Sequence, residues 1–156
     1  MATCCWTSEP PEQPLRRVDI HNFLFEIPPG DGNHKVTACY VFPRDVDLMS
    51  YTAHMHLRGK DMTFEALHPD GRRETLAAVP RYDFNWQTEY QLTEKVRIEK
   101  GTRIIITAHF DNSANNRYNP DPSKTIRWGE PSREEMMDGW LEFVLPKAGQ
   151  QSASAR

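Results

Sequence analysis

The chain has 156 residues, 38% of them hydrophobic, with 19 Lys and Arg against 22 Asp and Glu and a net charge of −3. This length and composition suit one folded domain with its own core and argue against a disordered chain. Because charges of both signs are interspersed, no basic face for nucleic acid is predicted, and no apolar run approaches the roughly 18 residues of a membrane helix.

The two ends of the chain differ in composition from its centre. Residues 1–16 are polar and rich in proline and are interpreted as a flexible leader without the basic start and apolar centre of a secretory signal. Residues 147–156 are small and polar and are interpreted as a flexible tail. Residues 17–146 are therefore expected to form a single domain.

The three cysteines do not predict a disulfide framework, because their number is odd and two of them, Cys4 and Cys5, are adjacent in the leader. Two adjacent thiols without a further ligand are also a weak metal signal. Cys39 is left without a partner inside the domain, and the role of Cys4 and Cys5 stays open.

Short β-rich runs alternate with turn sequences along the domain. In chain order the runs are NFLFEI, KVTACYVF, DLMSYTAHMHL, MTFEAL, ETLAAV, EYQL, KVRI, TRIIITAHF and WLEFVL. Turn chemistry separates them, most clearly in PPGDGN, HPDGRR and DNSANNRYNPDPS. The pattern predicts an all-β fold, an antiparallel β-sandwich of about 8–9 short strands.

One segment has the spacing of a helix start. Ser132 and Glu135 in PSREEMMDG match a capping box. Gly139 follows too soon for more than one helical turn. The segment is therefore interpreted as a turn that leads into the last strand.

Side chains alternate between the two faces of a strand, which sorts the candidate residues before any function is assumed. In residues 48–57 the apolar positions form one stripe, which leaves His54 and His56 together on the more polar face. In residues 103–111 the same sorting leaves His109 opposite the apolar stripe.

The last strand separates two adjacent methionines by the same rule. In residues 136–145 Met137 belongs to the apolar stripe and Met136 to the opposite face. If the three strands are neighbours, His54, His56, His109 and Met136 converge on one surface outside the core.

Two imidazoles with a thioether are a ligand set that suits copper, because thioether sulfur is soft and favours Cu(I). A zinc site more often adds Cys, a third His or a carboxylate. With six histidines in the chain, an H-x-H pair arises from composition in roughly one chain in four or five, so the pair alone is weak evidence.

Sequence motifs longer than the H-x-H pair resemble those of a known protein family. HMHLRGK, followed by SREEMMDGWLEF, resembles the C-terminal domain of the copper type II, ascorbate-dependent monooxygenases, the family of peptidylglycine α-hydroxylating monooxygenase and dopamine β-monooxygenase. The stretches IPPGDGNHKV, YDFNWQTEYQL, GTRIIITAHFDNSANN and RWGEPSREEMMDG are similar to a bacterial branch found in larger multidomain proteins. The resemblance spans residues 18–145, and it implies a secreted or periplasmic parent protein.

The resemblance implies a jelly-roll-like β-sandwich with one copper ion bound by His54, His56 and Met136, where O2 is activated for hydroxylation of a substrate C–H bond. His109 is expected as a supporting residue or an extra ligand. Ascorbate is the implied external reductant. The implied partners are an electron-delivering copper domain, or other upstream domains of a longer protein, and a small-molecule or peptide substrate.

Substrate contacts are also expected near the histidine pair. Arg58 and Lys60, just beyond it, are candidates for binding an anionic group of the substrate. Asn85 and Gln87 are candidates for lining a cleft, and Trp86 for either the cleft or the core.

Two other hypotheses stay open at this point. A cupin-like metalloenzyme would also use an H-x-H pair and a later histidine, here His109, although the first Glu lies at Glu65, nine residues beyond His56, which is the wrong spacing. A non-catalytic β-sandwich that binds copper or a partner would need no electron-delivering domain.

Overall fold

The computed structural model describes residues 12–147, and these form ten β-strands without a helix. The strands are β1 (Arg16–His21), β2 (Glu26–Ile27), β3 (His34–Val41), β4 (Val46–His54), β5 (Gly59–Leu67), β6 (Arg73–Val79), β7 (Tyr90–Ile98), β8 (Arg103–Phe110), β9 (Ile126–Arg127) and β10 (Asp138–Val144). The prediction of an all-β antiparallel sandwich is confirmed. Across the described range, no helix has the length and apolar character needed to cross a membrane.

Two four-stranded antiparallel sheets build the sandwich. Sheet I has the order β1-β10-β4-β7, and sheet II has the order β3-β8-β5-β6. β2 and β9 pair with each other separately. The alternate apolar side chains of both sheets are buried, including those of Leu48, Phe64, Ile104, Ile106, Phe110 and Leu141. Each such side chain stabilises the fold by about 1.5–3 kcal/mol relative to an exposed one.

Several predicted boundaries differ from the observed ones. EYQL and KVRI belong to one strand, β7, and β1 begins at the last residue assigned to the leader and was not predicted as a strand. The segment PSREEMMDG contains turns and bends, as predicted. Cys4, Cys5, most of the predicted leader and nearly all of the predicted tail lie outside the described residues.

The predicted strand through Leu57 is wrong at its end, since β4 stops at His54. Side chains replace the strand ladder from that point. The Met55 N–H donates to the Tyr82 hydroxyl at 3.0 Å, and that hydroxyl donates back to the Met55 carbonyl at 2.5 Å. The backbone N–H and carbonyl of Met55 therefore stay paired as the chain leaves the sheet, and His56 lies between β4 and β5.

Close packing of the two sheets depends on a glycine in β10. A Cβ atom on Gly139 would lie 2.1 Å from Cδ1 of Ile106 and 2.8 Å from Cε1 of Phe64. Both neighbours belong to sheet II, so the missing side chain lets the sheets approach next to the segment that carries Met136.

Gly139→Ala is expected to lower the free energy of unfolding by about 1–3 kcal/mol, because the added methyl group overpacks a filled core. Urea unfolding measures this value. Gly32→Ala is the matched control, since its Cβ would meet no atom closer than 3.6 Å. An equal loss in both variants would contradict the packing argument.

Candidate metal centre

The first candidate ligand, His54, is the last residue of β4 and lies beside the segment that enters β10. Its Nε2 atom is 3.4 Å from the Sδ atom of Met136. Its Nδ1 atom is 2.5 Å from the Oε1 atom of Gln87. The β4–β10 pairing explains the contact, because His54 is the register partner of Asp138, two residues after Met136 on the same face.

The amide of Gln87 determines which nitrogen of His54 carries the proton. The Gln87 NH2 group donates to the carbonyl of Phe84 at 2.9 Å, which directs the amide oxygen toward the imidazole. An oxygen can only accept, so Nδ1 of His54 must donate. Nε2 then has its lone pair available, directed toward the sulfur of Met136.

The second candidate ligand, His56, is held in the same tautomer by a backbone group. Its Nδ1 atom is 3.2 Å from the carbonyl oxygen of Glu134, which can only accept a hydrogen bond. Burial lowers the pKa of His56, which keeps the imidazole neutral. Neutral imidazole with a free Nε2 is the form that binds metal ions, and a fixed Nδ1–H partner is typical of metal-binding histidines.

Aromatic rings support the orientation of both imidazoles. The His54 ring stacks on Trp140, with centroids 5.4 Å apart and planes 9° from parallel. The guanidinium of Arg17 covers Trp140 at 3.9 Å. The two imidazoles are nearly perpendicular, with centroids 5.3 Å apart, and the edge contact of His56 with Phe84 spans 6.0 Å.

A buried carboxylate connects the turn that carries His56 to the segment that carries Met136. Glu135 is 0% exposed, and its two oxygens accept hydrogen bonds from the N–H groups of His56 at 2.7 Å and Arg58 at 2.6 Å. Burial raises the pKa of Glu135 to about 8, and the two amide donors and the charge of Arg58 act in the opposite direction.

The structure does not support Arg58 as a substrate contact. Its side chain is 1% exposed, and its guanidinium donates to Asn112 at 3.0 Å and to the carbonyl of Arg133 at 2.9 Å. These two contacts hold the guanidinium of Arg58 inside the protein, where its charge opposes the rise in the pKa of Glu135 that burial causes. The side chain is turned inward because β4 ends at His54 and residues 55–58 leave the sheet, which the sequence pattern did not indicate.

Lys60 does lie beside a groove of about 940 Å³ that begins at His56. Its ammonium group already donates to the carbonyl of Gly32 at 2.9 Å and to the amide oxygen of Asn33 at 2.6 Å. Three aromatic rings, those of Tyr82, Phe84 and Tyr118, line the same groove together with charged side chains of both signs.

His109 does not lie in a cluster with the other candidate ligands. It belongs to β8 in sheet II, whereas His54 belongs to sheet I, and its Nδ1 atom is 2.7 Å from the Oδ1 atom of Asp61. Within residues 12–147, no cluster of three ligand atoms from His, Cys, Asp or Glu includes His109. The expected convergence is therefore wrong for this residue, and the cupin-like hypothesis loses its third histidine.

The remaining donor set consists of two Nε2 lone pairs and one thioether sulfur. No carboxylate oxygen competes in this set, which makes it a poor site for Mg²⁺, Ca²⁺ or Mn²⁺. Soft sulfur together with imidazole fits Cu(I). The residues present therefore fit a copper ion.

Some functional side chains were missed or misjudged from the sequence. Gln87 was a cleft candidate but contacts His54 directly, and Asn85 lines the groove. Trp86 is 70% exposed and is not a core residue. Glu135 was noted only as part of a capping box, and its burial was not predicted, because an acidic residue in a polar segment is ordinarily exposed.

Gln87→Leu is expected to weaken Cu(I) binding by about 10–100-fold, because His54 loses the acceptor that holds its tautomer. A competition titration with a colorimetric Cu(I) chelator measures the affinity. Gln87 is exposed, so the fold and thermal midpoint should persist. Asn85→Leu, two residues away and without a contact to His54, is the matched control. Equal affinity of wild type and Gln87→Leu would contradict the assigned role.

Comparison with known protein families gives one family model that matches most of the chain. Residues 25–148 match the profile described as "Copper type II ascorbate-dependent monooxygenase, C-terminal domain". A search of curated proteins finds no match to the chain. The matched range includes His54, His56, Met136 and all of the strands from β2 to β10.

Proposed function

Because the chain belongs to the family of copper type II ascorbate-dependent monooxygenase C-terminal domains, we propose that it binds one copper ion through His54, His56 and Met136. The proposed role is activation of O2 for hydroxylation of a substrate C–H bond. The single observation that carries the proposal is the approach of His54 Nε2 to Met136 Sδ at 3.4 Å, with both Nδ1 atoms of the histidine pair engaged elsewhere.

Copper bound at these residues would supply the redox chemistry for O2 activation. The protein's own contribution is to hold the donors ready. Gln87 and the carbonyl of Glu134 keep the two Nδ1 protons in place, so that both imidazoles present unprotonated nitrogens. Met136 adds a soft sulfur, which favours the reduced ion.

The groove beside His56 is the proposed substrate site. It is about 940 Å³ in volume, within the usual range for small-molecule sites. Its aromatic rings offer apolar contact. Arg81 and Arg117 offer positive charge, and three aspartates in the same lining offer negative charge, whereas the ammonium of Lys60 already donates to two protein groups. A small molecule or peptide with apolar and charged groups fits this lining.

The proposed partner is an electron-delivering copper domain, or other upstream domains of a longer protein. The family name includes dependence on ascorbate, which acts as a reductant. Met136 is partly exposed and His54 lies at the outer face of sheet I, so the candidate ligands are not sealed inside the core. Electrons can therefore be supplied from outside this domain.

X-ray absorption of the Cu(I)-loaded protein tests the ligand assignment. Wild type is expected to give a copper–sulfur signal that is lost in Met136→Leu and kept in Met137→Leu. Met137 is the matched control, because it is adjacent in sequence but 0% exposed in the core. The substitution by leucine conserves volume and should cost under about 1.5 kcal/mol. A wild-type spectrum without sulfur would overturn the three-ligand site.

Turnover is a separate measurement. With an electron-delivering copper domain of the same family supplied in trans, ascorbate-dependent O2 consumption is expected in wild type and is expected to fall in Met136→Leu. The loss follows because the variant lacks the donor that favours the reduced metal. Copper binding by wild type without O2 consumption would favour the non-catalytic copper-binding module instead.

A further inference from the structure

A second cluster of potential ligands lies on the same outer face of sheet I and has no role in the proposed copper site. It consists of Asp19, His21 and Asp138. Asp19 and His21 alternate along β1 and therefore share a face, and Asp138 in β10 is the register partner of His21. One ligand atom from each residue lies within 4.8 Å of the other two.

Asp138 is the unusual member of this cluster. The residue is only 5% exposed, and its Oδ1 atom is buried without a hydrogen-bond donor among the described residues. Leaving a buried carboxylate oxygen unpaired is costly, so such an atom requires an explanation. Its register partners on the two sides are His21 and His54, which fixes it between the two imidazoles.

We propose that Asp19, His21 and Asp138 form a second metal site, which binds a divalent cation of the zinc type. Two carboxylates with one imidazole are a ligand set that zinc accepts. The two negative charges match the charge of a divalent ion. The oxygen and nitrogen donors differ from the thioether-containing set at Met136, so the two sites select different metals.

The spacing of the donors agrees with an ion between them. Nδ1 of His21 and Oδ1 of Asp19 are 3.6 Å apart. This is longer than an ordinary hydrogen bond of about 2.7–3.2 Å. Ligand atoms around a tetrahedral zinc ion, with bond lengths of about 2.0–2.2 Å, are separated by about 3.4 Å. Only a small movement of the exposed side chains would complete the site.

Access to the cluster is open from the solvent. The side chains of Asp19 and His21 are 47% and 34% exposed, whereas Asp138 is buried beneath them. An ion can therefore bind first to the two exposed side chains of β1 and then to the buried carboxylate of β10. This site does not depend on copper at His54.

Zn²⁺ titration by isothermal calorimetry tests the proposal. Wild type is expected to bind zinc, and His21→Ala is expected to weaken this binding by about 10–100-fold or more, since a direct ligand should matter at least as much as an outer partner. Asp138→Asn is expected to have the same effect. His34→Ala is the matched control, because His34 also pairs with an aspartate, Asp31, but lies in sheet II.

His56→Ala distinguishes the two metal sites, because it removes a candidate copper ligand that does not belong to the cluster. Zinc binding retained in His56→Ala and His34→Ala, but weakened in His21→Ala, supports the second site. Unchanged zinc affinity in His21→Ala overturns it, as does zinc binding that is lost in His56→Ala and kept in His21→Ala. Far-UV circular dichroism of each variant establishes that the fold is intact.

Discussion

The candidate site depends on one buried carboxylate. Glu135 accepts hydrogen bonds from the backbone N–H groups of His56 and Arg58, so it takes the place of a neighbouring strand at the point where the chain leaves β4. Without an acceptor there, two amides would be buried and unpaired, which costs about 1–3 kcal/mol each. The positive charge of Arg58 opposes the rise in the pKa of Glu135 that burial causes, and the guanidinium itself donates to Asn112 and to the carbonyl of Arg133.

This arrangement explains why His56 can be a candidate ligand although it is not part of the strand. If β4 continued regularly, only the alternation of side chains along the strand would set the direction of the His56 imidazole. Instead the backbone N–H of His56 donates a hydrogen bond to the Glu135 carboxylate. The Nδ1 atom of His56 is hydrogen-bonded to the backbone carbonyl of Glu134. Both contacts come from the segment that also carries Met136, so the spacing between two of the candidate ligands depends on a short stretch of backbone.

The fold class could be predicted from the sequence, because short runs of alternating apolar residues are separated by turn sequences. Alternation also anticipated the contact of His54 with Met136, whereas His56 lies beyond the end of β4 and is positioned by Glu134 and Glu135 instead. Alternation says which face of a strand a residue occupies, but not which sheet the strand joins. His109 was therefore grouped wrongly, since β8 lies in sheet II. The role of Arg58 was missed for a related reason, because its side chain is buried by tertiary contacts with Asn112 and Arg133 that no local pattern encodes.

The position of Met136 follows from its neighbours in the chain. On one side Glu135 is fixed by two amide donors, and on the other Met137 is completely buried in the core. The backbone of Met136 is therefore held at both ends, while its own side chain is only partly buried. A thioether has three flexible torsions, so its sulfur can adjust its distance to an ion without moving the backbone. The proposed copper site would therefore combine two oriented imidazoles with one sulfur whose position can adjust.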